Sequence, residues 1–134
     1  MSPDMLSLDT AQQLVAKAVK LATEANTAVA AVVTDPAGHV IAAARMDGVS
    51  SVAMAIATRK AVTATVFKAP VGALIGMISK DELIMRALGA VSELMLLPGA
   101  TPIVAGGRCL GAIGIAGAHY SQDQEMADQI ASGA

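Results

Sequence analysis

The stretch Leu110-Gly111-Ala112-Ile113-Gly114-Ile115-Ala116-Gly117 reads as a buried strand, yet it carries glycine at 111, 114 and 117. Glycine weakens a strand and gives it nothing to pack. Its presence there marks a bulge, or a point where a ligand or another backbone comes very close. The rest of the chain has the same small-residue character. Phe67 and Tyr120 are the only aromatics, so the core must be built from Ala, Val, Ile, Leu and the eight Met. Elements made of such side chains can approach each other closely. With 54% hydrophobic and 15% charged residues, they also leave more apolar surface than one small domain hides. Surface of that kind usually marks a partner face, so a homo-oligomer is expected.

The 134 residues form one ordinary domain, 1–134, with no repeat and no linker. The net charge is −2, and no basic run interleaves with aromatics, which excludes the electrostatic footprint of nucleic-acid binding. Apolar runs are broken by Gly, Lys or Asp well before the roughly 18 residues a membrane helix needs. Met1-Ser2-Pro3-Asp4 lacks the basic and apolar regions of a signal peptide. The single cysteine, Cys109, cannot form an internal disulfide. These features point to a cytoplasmic protein with no membrane partner.

Asp9 with Gln12 reads as a helix cap, followed by helical spacing of Leu14, Ala18, Leu21, Ala22 and Ala25, which predicts a helix over 9–26. Residues 28–34 and 39–45 read as strands joined by an Asp35-Pro36-Ala37-Gly38 turn. A second helix runs from Ser50 or Ser51 to about Lys68 and stops before Pro70. Residues 71–90 suggest short helices, with Ser79 and Glu82 as a capping box, and 92–97 suggests a short strand. Ile103-Val104-Ala105 and the glycine strand then form a hairpin through Gly106-Gly107. Ser121 with Gln124 caps a final helix over 121–132. Strands that arrive as adjacent hairpins make an antiparallel sheet, with helices on its faces.

An ordered set of motifs spans nearly the whole chain. It comprises the Asp35-x-x-Gly38 turn, Arg45-Met46-Asp47-Gly48, Ile56-Ala57-x-x-Lys60-Ala61-x-Thr63-Ala64-x-x-Phe67, Pro102-Ile103, Gly111-Ala112-Ile113-Gly114 and Asp123. In this the chain resembles the GlcG/HbpS family, a domain type also seen at the C-terminus of some corrinoid adenosyltransferases. The resemblance implies an α+β fold, an antiparallel sheet of about five strands between helical layers, and assembly into multimers. It also implies that haem is a candidate cofactor, since some members bind it. Where such members use a histidine late in the first helix, this chain has Leu21-Ala22-Thr23-Glu24. That leaves His119, Met46 or a partner subunit to supply a ligand.

Few residues can carry chemistry. Arg45, Asp47 and Lys60 can be surface charges and a helix-face ion pair, or an anion site in which the Arg fork clamps a carboxylate and Lys adds a point charge. His119 and Tyr120 can simply anchor the chain end. Alternatively they form a polar lip over a pocket floored by Gly111, Gly114 and Gly117, with His119 as a general acid or base and Tyr120 as a donor. His39 reads as an exposed strand start, the methionines as packing, and Cys109 as an inert thiol. No carboxylate–histidine cluster defines a metal site. The expectation is a multimeric cytoplasmic small-molecule-binding protein, taking haem or another planar anionic ligand at a subunit interface. The alternative is a cofactor-independent lyase, isomerase or hydrolase acting on a small carboxylated intermediate of catabolism.

Overall fold

The computed structural model describes residues 5–133, so the signal-peptide expectation on Met1-Ser2-Pro3-Asp4 lies outside the described residues. In chain order the elements are α1 (Leu8–Glu24), β1 (Ala30–Thr34), β2 (Val40–Arg45), α2 (Ser51–Phe67), α3 (Val71–Ile78), α4 (Glu82–Gly89), β3 (Ala100–Ala105), β4 (Arg108–Ala116) and α5 (Tyr120–Ser132). The strands make one antiparallel sheet in the order β2-β1-β4-β3. Each hairpin turn has its own local chemistry. Asp35 Oδ1 accepts from the Ala37 and His39 amides at 2.9 and 3.0 Å. Gly106 and Gly107 both take positive φ, as a two-residue turn matched to strand twist requires.

The sheet divides two unlike layers. On one face Ile113 and Ile115 of β4 pack with Val33 of β1, Leu14 of α1 and Met126 and Ile130 of α5. On the other face β4 presents Ala112, Gly114 and Ala116, and α2 meets the sheet with Ala57, Ala61 and Ala64, all fully buried. Interiors are packed to near-crystalline density, so facing small residues bring helix and sheet backbones close together. A side chain at Gly114 would overlap the Ala57 carbonyl, and one at Gly111 would overlap the Thr34 carbonyl. These two glycines therefore mark close backbone approach rather than the floor of a pocket.

The sheet has four strands among the described residues, not about five. Residues 92–97 do not pair as a strand because α2 takes their backbone groups: Arg59 Nη2 donates to the Leu94 carbonyl at 2.7 Å, and the Met95 amide donates to Thr63 Oγ1 at 2.8 Å. The caps also differ from expectation. Ser7, not Asp9, caps α1 by accepting from the Thr10 amide, and Asp81, not Ser79, caps α4. His119 replaces Ser121 as the cap of α5, because its imidazole accepts from the Ser121 amide. β1 starts at Ala30 rather than 28. Among the described residues no single helix is long and apolar enough to cross a membrane. α2 and α3 pass such a test only together, and they bend by 67° at their junction.

Candidate functional site

Two helices begin at the same end of the sheet. β2 leads through Asp47 and Gly48 to Ser50, whose hydroxyl accepts from the Ala53 amide and starts α2. β4 leads through Gly117 and Ala118 to His119, which starts α5. Between the two N-termini lies a cavity of about 350 Å³. Val52, Ile56 and Leu97 are among its apolar walls, His119 and Tyr120 stand at its rim, and Lys60 and Asp123 lie at its floor. The rings of His119 and Tyr120 sit 4.2 Å apart, tilted by 34°. Helix N-termini carry a partial positive charge and unpaired amides, so two of them facing one cavity favour an anion.

Lys60 and Asp123 are each only 1% exposed. The Lys60 ammonium donates to the Ile115 carbonyl at 2.9 Å and to Asp123 Oδ2 at 3.2 Å, while Asp123 Oδ1 accepts from the Ala118 amide at 3.2 Å. Gly99 makes room for this group, since a Cβ there would stand 2.5 Å from Lys60 Nζ. Burial pushes the Lys60 amine below the usual lysine value, against the opposing charge of Asp123. Burial likewise pushes the Asp123 carboxyl up, against the opposing charge of Lys60 and its hydrogen bonds. Both groups are thus drawn toward their neutral forms. Perturbed titratable groups in a cleft are a mark of functional sites.

The residues singled out in the sequence divide sharply. Lys60, Gly117, His119 and Tyr120 share the cavity. Asp47 lines an adjoining hollow whose walls share Ser50, Ala53 and Gly117 with it. Arg45 lies apart: its Nη1 donates to the Val49 carbonyl at 2.6 Å and closes the loop before α2. Gly111 and Gly114 are held against other backbones, as described above. Asp123, which the sequence offers as a motif residue and as a carboxylate able to bind metal, is the buried partner of Lys60. Gln124 was read as a cap. It instead accepts from the Gly72 and Gly99 amides at 2.9 and 2.8 Å and donates to the Ala100 carbonyl at 3.1 Å, tying α3 and β3 to α5.

Residues 6–132 match the family model described as haem degrading protein HbpS-like. The chain belongs to the HbpS-like family. This HbpS-like chain is similar to a variant of Streptomyces reticuli HbpS at 27% identity, with a TM-score of 0.85 over 98% of this chain and 88% of that one. It is similar to Klebsiella pneumoniae protein ORFY at 29% identity, with a TM-score of 0.84 over 94% of this chain and 87% of the other. A structure of a PduOC:haem complex shares the fold at 23% identity, with a TM-score of 0.86 over 97% of this chain and 95% of that one. Comparison with curated proteins gives no match.

Haem can be tested against the residues present. Met46 Sδ already accepts from the Val29 amide at 3.3 Å, and the residue packs on the core. His119 Nδ1 is engaged with Ser121, which leaves its Nε2. Tyr120 and the His119 imidazole are the only rings among the cavity's described lining residues. Among the described residues no group of three or more His, Cys, Asp or Glu gathers. Of the described cavity residues, His119 through Nε2 and Tyr120 through its hydroxyl could hold a haem iron, while the largely aliphatic walls offer the ring little to stack on.

Proposed function

We propose that the chain is a small-molecule-binding protein whose cavity takes a compact carboxylate. The observation that carries this is the buried Lys60 ammonium at the floor of a cavity faced by the N-termini of α2 and α5. A carboxylate there meets the partial positive charge of two helix ends, and an apolar body fits Val52, Ile56 and Leu97. This is the usual composition of a ligand site: mostly apolar walls and a few convergent polar groups. In this reading His119 and Tyr120 close over the ligand, supported by their place among the cavity's lining residues. We further read the protein as a cytoplasmic homo-oligomer. Supporting this are Met77 and Leu83, which are 79% and 78% exposed, and Cys109, which stands as a free thiol.

Family membership favours a second reading, haem held between two copies, with His119 or a partner copy supplying the iron ligand. Two titrations of the same purified protein separate the two. Acetate and pyruvate followed by isotope-edited NMR should perturb the Gly117, Ala118 and Val52 amides saturably. His119→Ala should weaken that binding about tenfold, the loss of one hydrogen bond to a charged group. Haemin followed by absorbance should give no stoichiometric Soret shift. A stoichiometric Soret shift together with silent NMR would replace the carboxylate by haem.

A further inference from the structure

We propose that Lys60 is a nucleophile that condenses with the carbonyl carbon of a small 2-oxo acid, forming an imine in the cavity. This rests on the carboxylate-binding reading above and deepens it. Four observations converge on Lys60. Its side chain lines the cavity although the residue is 1% exposed, so what reaches it must come through that opening. The ammonium donates to the Ile115 carbonyl and to Asp123, and the second bond is a direct route for the proton it must lose. A proton acceptor stands at 3.2 Å in Asp123. The carboxylate of a 2-oxo acid lies next to its carbonyl, so helix ends that hold the first can present the second to the amine. A lysine desolvated in an apolar site is the form in which this side chain acts as a nucleophile.

The step balances within the site. Lys60 gives one proton to Asp123, and the free pair on Nζ attacks the carbonyl carbon while the C=O π electrons move to oxygen. A proton then passes from nitrogen to that oxygen, with His119 or Tyr120, which line the same cavity, as the relay. Asp123 returns its proton to the hydroxyl, which leaves as water as the C=N bond forms and the nitrogen keeps one proton. Nothing is oxidised or reduced. Asp123 is bonded to the amine, His119 and Tyr120 line the same cavity, and Asp47 lies in the adjoining hollow.

The test is borohydride reduction of the full chain in the presence of pyruvate, followed by intact mass and peptide mapping. One reduced adduct per chain is expected, mapped to Lys60. Its rate should exceed that at exposed Lys17, Lys20, Lys68 or Lys80 about tenfold for each unit by which the buried amine lies below a solvated lysine. Lys60→Arg should abolish the adduct while circular dichroism confirms the fold. Should that variant not fold, the wild-type map still decides, because an adduct spread over the exposed lysines overturns the proposal. Pyruvate binding by NMR with no adduct at Lys60 overturns the imine and leaves carboxylate binding standing. Absence of both overturns both.

Discussion

Separating Lys60 from Asp123 should show how the site and the fold depend on one pair. Take Lys60→Met first. It leaves a buried carboxylate with the Ala118 amide as its remaining partner. That carboxylate can escape its charge only by taking a proton. From an ordinary value of 3.8, protonation at about pH 7 costs about 4 kcal/mol, at 1.36 kcal/mol per unit. Asp123→Asn strands a buried amine, and deprotonating it from 10.5 costs about 5 kcal/mol by the same rule. Either figure agrees with the 3–5 kcal/mol typical of breaking a buried pair. For a chain of this length that is a fall in Tm of about 10–20 °C. Removing both charges leaves chiefly the unpaired Ile115 carbonyl, about 1–3 kcal/mol, so the double variant should be more stable than either single one.

The two single variants should also respond to pH in opposite senses. In Lys60→Met the folded carboxyl value rises further above 3.8, so the folded state holds that proton more tightly than the unfolded chain. The loss should then shrink as pH falls toward about 4. In Asp123→Asn the folded amine value lies further below 10.5, so the loss should shrink as pH rises toward about 10. Urea unfolding followed by circular dichroism at acid, neutral and alkaline pH gives all three quantities. Single-variant losses under about 1 kcal/mol, the size of an exposed pair, or pH slopes of the same sign, would refute a desolvated pair.

Gly114→Ala should destabilise by about 3 kcal/mol, at the upper end of overpacking costs, because the backbone of α2 must retreat from its Ala57 carbonyl; a melting scan that leaves Tm unchanged would contradict this. Gln124→Leu should cost about 2–4 kcal/mol by leaving the Gly72 and Gly99 amides unpaired, and hydrogen exchange at those two amides should accelerate. Met77→Glu with Leu83→Glu should lower the mass seen by analytical ultracentrifugation while changing protomer stability by less than about 0.5 kcal/mol, the usual size of a surface substitution; an unchanged mass would remove these side chains from any subunit contact.

Much of the fold was legible because its signals are local. Gly106-Gly107 can make only a tight turn between two apolar runs, and Asp35-Pro36-Ala37-Gly38 carries its own hydrogen-bond acceptor. The pairing of β1 with β4, which sets Gly111 against the Thr34 carbonyl, and the seating of α2 on Gly114 are long-range facts with no local sign beyond the glycines themselves. The segment 92–97 resembled a strand because its backbone partners are Arg59 and Thr63, more than thirty residues away in the chain. The site was half visible. His119 and Tyr120 stood out by rarity, and Lys60 by its small-residue helix. Asp123 did not, because one carboxylate in a polar final helix looks like any other until the β4–α5 junction folds it inward. Arg45 drew attention for its charge at a strand end, yet it lies outside the cavity, with Nη1 donating to a loop carbonyl.

The division of the cavity into a floor and a rim sets how such a site can diverge. Lys60, Asp123 and Gly99 hold α2, β4 and the entry to β3 in place, so a change there is first a change in folding. Val52, Leu97 and Tyr120 support little besides the opening, whereas His119 also caps α5. Divergence in what the cavity accepts is therefore free at the rim and blocked at the floor. Proteins sharing this floor could accept ligands of different shape while presenting the same amine to each.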